Sequence, residues 1–220
     1  MGMANRLSYL AGIVGELKKL WPENRTVNIV CHGHSVPSGY FATPFVDTFN
    51  AYPHLLHRGL KGRFPFAVVN VIVTAIGGEN SQAGSTRFER DVLGHRPDVV
   101  TIDYGLNDRP IGLETAEACW RSMMEKSLSA GAKVILLTPT PDVTQRPWQI
   151  QKEGAPLLEH ARQIRRLASE FEVGLVDNLA AFEEYQRTGD LSDLLSWSNH
   201  PNRSGHDIVA RELLRWFSTE

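Results

Sequence analysis

The chain has 220 residues, of which 42% are hydrophobic and 22% are charged, and its formal net charge is −2. This composition is ordinary for a globular domain with a hydrophobic core. The near-neutral charge and the lack of a basic stripe argue against a nucleic-acid partner. No apolar run reaches the roughly 18 residues of a membrane span, and two cysteines, Cys31 and Cys119, are too few for a disulfide framework.

The first 24 residues favour an amphipathic helix. Leu7, Leu10, Val14, Leu17 and Trp21 share one helical face. Charged residues follow this apolar stretch, and it has no small-residue cleavage site of the kind that ends a signal peptide. We therefore expect residues 1–220 to form one domain with this helix packed on it, in a cytoplasmic protein. The Met-Gly-Met start is also compatible with a scar that replaced a removed leader.

The rest of the chain alternates short apolar runs with amphipathic segments. The run at residues 67–73 is almost continuously apolar, which is typical of a parallel strand buried on both faces. This alternation predicts the α/β class: a single three-layer α/β/α domain whose flavodoxin-like, five-stranded parallel sheet has right-handed crossovers. The predicted strands are residues 27–30, 67–73, 98–104, 133–137 and 173–176.

Helices are predicted between these strands from the 3.6-residue spacing of apolar side chains. Phe49, Tyr52 and Leu56 are spaced to cover a core, and Ser204 is placed to begin a capping box for the last helix. The proline-bearing residues 139–154 indicate a long loop. The predicted helices span residues 47–60, 86–93, 114–128, 156–171, 179–187 and 204–217.

Chemically reactive residues follow the strands at their carboxyl ends. The first strand runs into Gly33-His34-Ser35, the second into Gly77-Gly78, and the third into a loop that contains Asn107. His200 precedes the last helix. In a parallel sheet these turns share one edge, which is where such sheets bind ligands. A serine, a histidine, a glycine N–H and an asparagine amide together provide a nucleophile, a base and oxyanion donors.

These four blocks, in this order, resemble those of the SGNH (GDSL-type) hydrolases, and the resemblance spans residues 27–217. It implies that Ser35 is the nucleophile and that His200, which lies before a proline, is the general base. It also implies that Asn107 is the side-chain oxyanion donor. Gly78 best matches the oxyanion glycine, with Gly77 as the adjacent alternative. The family's fold and its independence of any cofactor are implied too.

Two positions depart from the family pattern. His34 stands where the family has the aspartate of Gly-Asp-Ser, and Trp197 stands where it has the aspartate that orients the histidine. A base needs a partner on its other nitrogen. Asp193, in the same loop as His200, is the first candidate. The next candidates are a backbone carbonyl and the two aspartates at the end of the third strand, Asp103 and Asp108. A Ser-His dyad is the remaining alternative.

Two other functions compete with the esterase. His32 and His34 have the spacing of a metal pair at a strand end, which His200 and His206 could complete. No carboxylate-rich motif on the other strand ends supports that site, so we expect no metal. The second competitor is a non-catalytic module of the same fold that binds a glycan or an acyl ligand.

The predicted activity is hydrolysis of a carboxylic ester through an acyl-enzyme. The expected partner is a small-molecule ester, and no cofactor is required. The family covers lipids, acyl thioesters and acetylated sugars. The aromatic loops around Tyr40, Phe41 and Trp148, and the lack of a long apolar lid, favour a short acyl group on a carbohydrate. The sequence gives no indication of oligomeric state.

Overall fold

A computed structural model describes residues 2–145 and 155–219. Their strands form one parallel sheet and one short antiparallel pair. The parallel sheet has the order β4-β1-β5-β6-β7, and β2 pairs with β3. The strands are β1 (Thr26–Gly33), β2 (Tyr40–Ala42), β3 (Phe45–Val46), β4 (Val68–Val73), β5 (Val99–Asp103), β6 (Lys133–Leu137) and β7 (Gly174–Val176).

The five predicted strands are thus confirmed, and so is their flavodoxin-like order, in which the second sheet strand lies outside the first. Helices cover both faces of this sheet. They are α1 (Ala11–Lys18), α2 (Ser35–Ser38), α3 (Tyr52–Arg63), α4 (Ser81–Thr86), α5 (Phe88–Asp91), α6 (Gly112–Ser129), α7 (Ala155–Glu170), α8 (Asn178–Gln186) and α9 (Arg203–Leu214).

The alternation of side chains along the strands creates two cores. Ile29 and Cys31 of β1 point into a core shared with α1, α3 and α9. Val30, between them, points into the other core, together with Trp120 and Met123 of α6. The sheet is therefore the middle layer of three, as the α/β/α prediction required.

The prediction for residues 67–73 was wrong about burial. β4 is an edge strand, bonded only to β1 in the described part of the sheet, and Val68 is 49% exposed. A continuous apolar run therefore does not place a strand in the middle of a sheet. The predicted helix at 47–60 also begins late, because Pro53 occupies the first turn of α3, where proline is favoured. Phe49 lies before it, in a short 3₁₀ turn, and is exposed.

Three helix boundaries also differ from the sequence prediction. Leu10, Val14 and Leu17 of the amphipathic N-terminal stretch are buried, but Leu7 and Trp21 lie beyond the ends of α1 and are exposed. The predicted helix at 86–93 is divided between α4 and α5. α9 begins at Arg203, one residue earlier than predicted, because the side chain of Asn202 accepts the N–H groups of residues 204 and 205 and caps the helix.

The predicted loop at residues 139–154, with Trp148, lies partly outside the described residues. Among the helices that the structure does describe, none is long and apolar enough to cross a bilayer.

Candidate active site

Ser35 is positioned by the end of the central strand β1. Gly33 is paired with Asp103 of β5, and the N–H of His34 donates to the Asp103 carbonyl at 3.2 Å. A Cβ on Gly33 would lie 2.4 Å from that carbonyl oxygen, so only glycine allows the two strands to approach this closely. The chain then turns directly into α2, whose first residue is Ser35. The hydroxyl therefore stands at the carboxyl edge of the sheet, as expected from the sequence.

His200 is presented by a closed loop between residues 195 and 201. Leu195 and Pro201 form an isolated β-bridge, and the N–H of Ser196 donates to the His200 carbonyl at 3.0 Å. The imidazole Nε2 lies 2.9 Å from Ser35 Oγ, which is hydrogen-bond distance. The structure thus brings together two groups that are 165 residues apart in the chain.

The glycine loop and Asn107 lie on the other side of the serine. Gly77, Gly78 and Asn107 line a cavity of about 350 Å³ together with Ser35 and His200; its other lining residues are Tyr40, Thr43 and Asn199. Gly78 has a φ of +83°, which only glycine adopts readily. Nδ2 of Asn107 donates to the Glu79 carbonyl at 2.8 Å, so one amide hydrogen fixes the side chain and the other remains for a ligand.

A buried polar network holds the glycine loop in place. Arg87 donates to the Glu79 carboxylate through Nε, at 2.9 Å, and through Nη2, at 2.5 Å. The hydroxyl of Tyr104 reaches the same carboxylate at 3.3 Å and His32 Nε2 at 3.1 Å. Because Asn107 also binds the Glu79 carbonyl, this network connects the glycine loop to the carboxyl ends of β1 and β5.

Within residues 2–145 and 155–219, no carboxylate supports His200 on the side of Nδ1. Its Nδ1 is buried and has no hydrogen-bond partner among the described residues. Trp197, where the family has its aspartate, is 65% exposed. The first candidate, Asp193, was wrong: its carboxylate accepts the Asp190 N–H at 3.1 Å and the Tyr185 hydroxyl at 3.3 Å, because it closes a capping box on a 3₁₀ turn.

The two alternative aspartates are also engaged elsewhere. The Asp108 carboxylate accepts the Ser81 N–H and the Trp120 indole N–H, each at 2.7 Å. Asp103 lies next to His34 instead of His200: its Oδ1 is 3.4 Å from His34 Nε2. Of the alternatives that the sequence allowed, the Ser35–His200 dyad is the one that fits the described residues. The His34–Asp103 pair lies beside it.

That second imidazole also approaches the nucleophile. His34 Nδ1 is 3.4 Å from Ser35 Oγ and accepts the Val36 N–H at 3.3 Å. Ser35 Oγ therefore lies between two histidine rings. Sequence reasoning treated His34 only as a departure from the family or as a metal ligand. One feature of the sequence could have indicated this role of His34: the neighbouring strand, β5, ends in an aspartate, Asp103.

Burial keeps His200 neutral. It lowers the pKa of the imidazole from 6.5 to about 4, with a smaller contribution from the charge that His34 carries when protonated. The ring of Tyr40 stacks over His200 with centroids 6.3 Å apart. At neutral pH the imidazole is therefore able to accept the hydroxyl proton of Ser35.

The histidines do not form a metal centre. Across residues 2–145 and 155–219, no group of His, Cys, Asp and Glu is arranged to hold an ion. His32 Nδ1 is bonded to the Thr74 hydroxyl at 2.9 Å, and its other nitrogen is in the Tyr104 network. Nδ1 of His206 accepts the Tyr52 N–H at 3.2 Å.

A larger groove, of about 960 Å³, lies between the N-terminal segment and helices α8 and α9. Two of its arginines form ion pairs within the surface, Arg211 with Asp207 at 3.0 Å and Arg215 with Glu212 at 2.8 Å. No serine or histidine is among the described residues that line it. The smaller cavity at Ser35 is therefore the candidate active site.

A serine hydroxyl in contact with a histidine, beside an asparagine amide and a glycine loop, defines a serine ester hydrolase on a three-layer α/β/α fold. Comparisons with known proteins agree. The model of the GDSL-like lipase/acylhydrolase family matches residues 31–208. The chain belongs to this family, whose signature blocks are those of the SGNH hydrolases.

Relatives of known activity resemble most of the chain. An acetylxylan esterase of Geobacillus stearothermophilus is 28% identical over 171 residues, which cover 71% of this chain and 75% of that protein. A crystal structure of an acetylxylan esterase from the same organism matches with a TM-score of 0.74 at 26% identity, over 88% of this chain and 95% of that one. A two-domain esterase active on acetylated mannans has a TM-score of 0.76 at 24% identity, over 98% of this chain and 54% of that chain; this likeness shows the fold alone.

Proposed function

We propose that the protein is a carbohydrate esterase that removes short acyl groups, acetyl above all, through an acyl-enzyme on Ser35. The observation that carries the proposal is the 2.9 Å contact between Ser35 Oγ and His200 Nε2 at the mouth of the cavity. A hydroxyl is a weak nucleophile until a base takes its proton, and this contact provides the path for that proton.

The reaction has two balanced halves. Ser35 Oγ attacks the ester carbonyl carbon while its proton passes to His200 Nε2. The carbonyl electron pair moves to the oxygen, where the N–H groups of Ser35 and Gly78 and the amide of Asn107 would stabilise it. The tetrahedral intermediate then collapses, and the leaving alcohol takes the proton from His200. Water repeats the sequence on the acyl-enzyme and releases the acid.

The size of the site supports a short acyl group. A cavity of about 350 Å³ lies at the small end of the usual range for ligand sites, about 300–1,000 Å³. Its lining combines hydrogen-bonding side chains such as Thr43 and Asn199 with the phenol ring of Tyr40, which suits a sugar beside a small acyl group. The name of one relative supports the same substrate class, since it is an acetylxylan esterase.

Structures of the Geobacillus stearothermophilus acetylxylan esterase include catalytic mutants of a serine, a histidine and an aspartate, the last two being three residues apart. A catalytic serine and a catalytic histidine in that protein support the assignment of Ser35 and His200. The spacing also identifies the difference, because Trp197 stands three residues before His200 in this chain.

The test compares acetyl release from p-nitrophenyl acetate and from an acetylated xylo-oligosaccharide. We expect both to be hydrolysed, a long-chain p-nitrophenyl ester to be hydrolysed far more slowly, and Ser35→Ala to abolish all turnover. A wild-type protein that binds the oligosaccharide without releasing acetate would instead be a non-catalytic glycan-binding module. Preference for the long-chain ester would contradict the short-acyl assignment.

A further inference from the structure

Asp103 is a buried carboxylate that the proposed reaction does not use. It ends β5, is 2% exposed, and has no arginine or lysine partner among the described residues. Oδ2 accepts the Tyr52 hydroxyl at 3.3 Å, and Oδ1 lies 3.4 Å from His34 Nε2, within charge-interaction distance but without a hydrogen bond. A buried charge with only these two partners is costly, and it calls for an explanation.

The contacts of His34 fix where its proton lies. Nδ1 accepts the Val36 N–H at 3.3 Å, so this nitrogen carries a lone pair. The proton of the neutral ring is therefore on Nε2, the nitrogen that faces Asp103. The same Nδ1 lone pair lies 3.4 Å from Ser35 Oγ. Asp103, His34, Ser35 and His200 thus form one continuous chain of contacts.

His200 lacks the support that a general base ordinarily has. To accept a proton on Nε2 it must carry its own proton on Nδ1, and Nδ1 is buried without a partner in the part of the chain that the structure describes. When it takes the proton of Ser35 it becomes a buried cation. Trp197, at the position of the family's aspartate, offers no charge to oppose that cation.

We propose that Asp103, acting through His34, is a positioning residue that supplies the negative charge this site lacks behind His200. The inference rests on the proposed function. The charge of Asp103 favours the Nε2–H tautomer of His34. The Nδ1 lone pair of His34 is then engaged by the Val36 N–H, so the Ser35 hydroxyl donates to His200. The carboxylate also opposes the positive charge that forms on His200, from the opposite side of the serine. Asp103 and His34 neither gain nor lose a proton in the reaction.

The first test is Asp103→Asn in the intact chain, with p-nitrophenyl acetate as substrate. The asparagine keeps the shape of the side chain and removes its charge. We expect kcat to fall at least about 100-fold, as when an orienting carboxylate is lost elsewhere, with KM little changed. Asp98→Asn is the matched control: it precedes the same strand at the opposite end, where the carboxylate binds Arg25, and should keep kcat.

The acid limb of kcat/KM provides a second readout. The ionisable groups around His200 are His34, with Asp103 behind it, and the buried His206, while Tyr40 stacks on the ring. Removing the charge of Asp103 makes the imidazolium of His200 less stable. The acid limb of the Asp103→Asn profile should therefore move to lower pH.

The decisive variant adds Trp197→Asp to Asp103→Asn. If either carboxylate can stabilise the positive charge on His200, an aspartate at position 197 should restore most of the lost kcat. A purely structural role for Asp103 predicts no recovery. If Asp103→Asn fails to fold, His34→Asn replaces it, since asparagine can still cap α2. The same loss and the same rescue are then expected.

Unchanged kcat in Asp103→Asn, or a loss that Trp197→Asp does not recover, would overturn the inference. The proposed function is tested separately by Ser35→Ala in the same assay. If wild-type protein is inactive, or Ser35→Ala is active, the proposed function fails. If Ser35→Ala is inactive and Asp103→Asn is fully active, only the inference about Asp103 fails.

Discussion

Replacing Asn107 with alanine tests the oxyanion assignment most sharply, because the structure separates its effect on catalysis from its effect on folding. One amide hydrogen of Asn107 binds the Glu79 carbonyl at 2.8 Å, and the other is available to the cavity. Loss of one preorganised oxyanion donor typically lowers kcat about 100- to 1,000-fold. Because the negative charge develops only in the transition state, we expect this loss in kcat with KM nearly unchanged.

The same substitution should cost little stability. It removes a single neutral hydrogen bond, worth about 1 kcal/mol. The assay is acetyl-ester hydrolysis at several substrate concentrations, alongside urea unfolding. Asn178→Ala is the control, because Asn178 makes the same kind of bond, to the Thr138 carbonyl at 2.8 Å, outside the cavity. It should lose more stability than Asn107→Ala, because Asn178 is fully buried, and it should keep kcat. Wild-type kcat in Asn107→Ala, or a rise in KM alone, would refute the reasoning.

Three further outcomes are expected. The acid limb of kcat/KM should have its midpoint near pH 4, because burial lowers the pKa of His200 to about 4 and activity is lost only when the ring is protonated. A midpoint at pH 6.5 would contradict this assignment. Burial also lowers the pKa of His32 from 6.5 to about 4, so the unfolded chain binds an extra proton at this residue between these values. His32 alone should therefore contribute up to about 3 kcal/mol to the fall in the free energy of unfolding as pH drops across that window. Urea unfolding should show a smaller fall in His32→Gln, and an equal fall would contradict the assignment. Gly33→Ala should lower the free energy of unfolding by about 1–3 kcal/mol and disrupt the site, because its Cβ would lie 2.4 Å from a backbone oxygen of β5. The control Gly94→Ala should be tolerated, because the nearest atom to its Cβ would be 4.0 Å away. Equal stability of the two variants would argue against the close approach at Gly33.

The strands were predictable because apolar runs and their polar ends are local features of the sequence. The run at 133–137 is a strand with those bounds, and the last residue of β1, Gly33, is the first residue of the serine motif. What the runs do not encode is lateral position. The run at 67–73 is as apolar as a central strand, yet it forms the sheet edge, since strand order depends on the crossovers between strands.

The candidate site was predictable to the extent that parallel strand ends converge. Ser35, His200, Gly78 and Asn107 lie around one cavity, as that rule required. The support of the imidazole was not predictable. Proximity in the chain favoured Asp193, but its carboxylate is used by a local turn. Asp103 belongs to a neighbouring strand, and its contact with His34 depends on the register of β1 against β5.

The central claim is that Ser35 forms the covalent intermediate. An organophosphate that reacts with activated serines should add one equivalent to the intact protein, located on Ser35 by peptide mass spectrometry, with parallel loss of esterase activity. Ser35→Ala should remain unmodified. An active enzyme that resists the reagent, or an adduct on another residue that accompanies inactivation, would contradict the account.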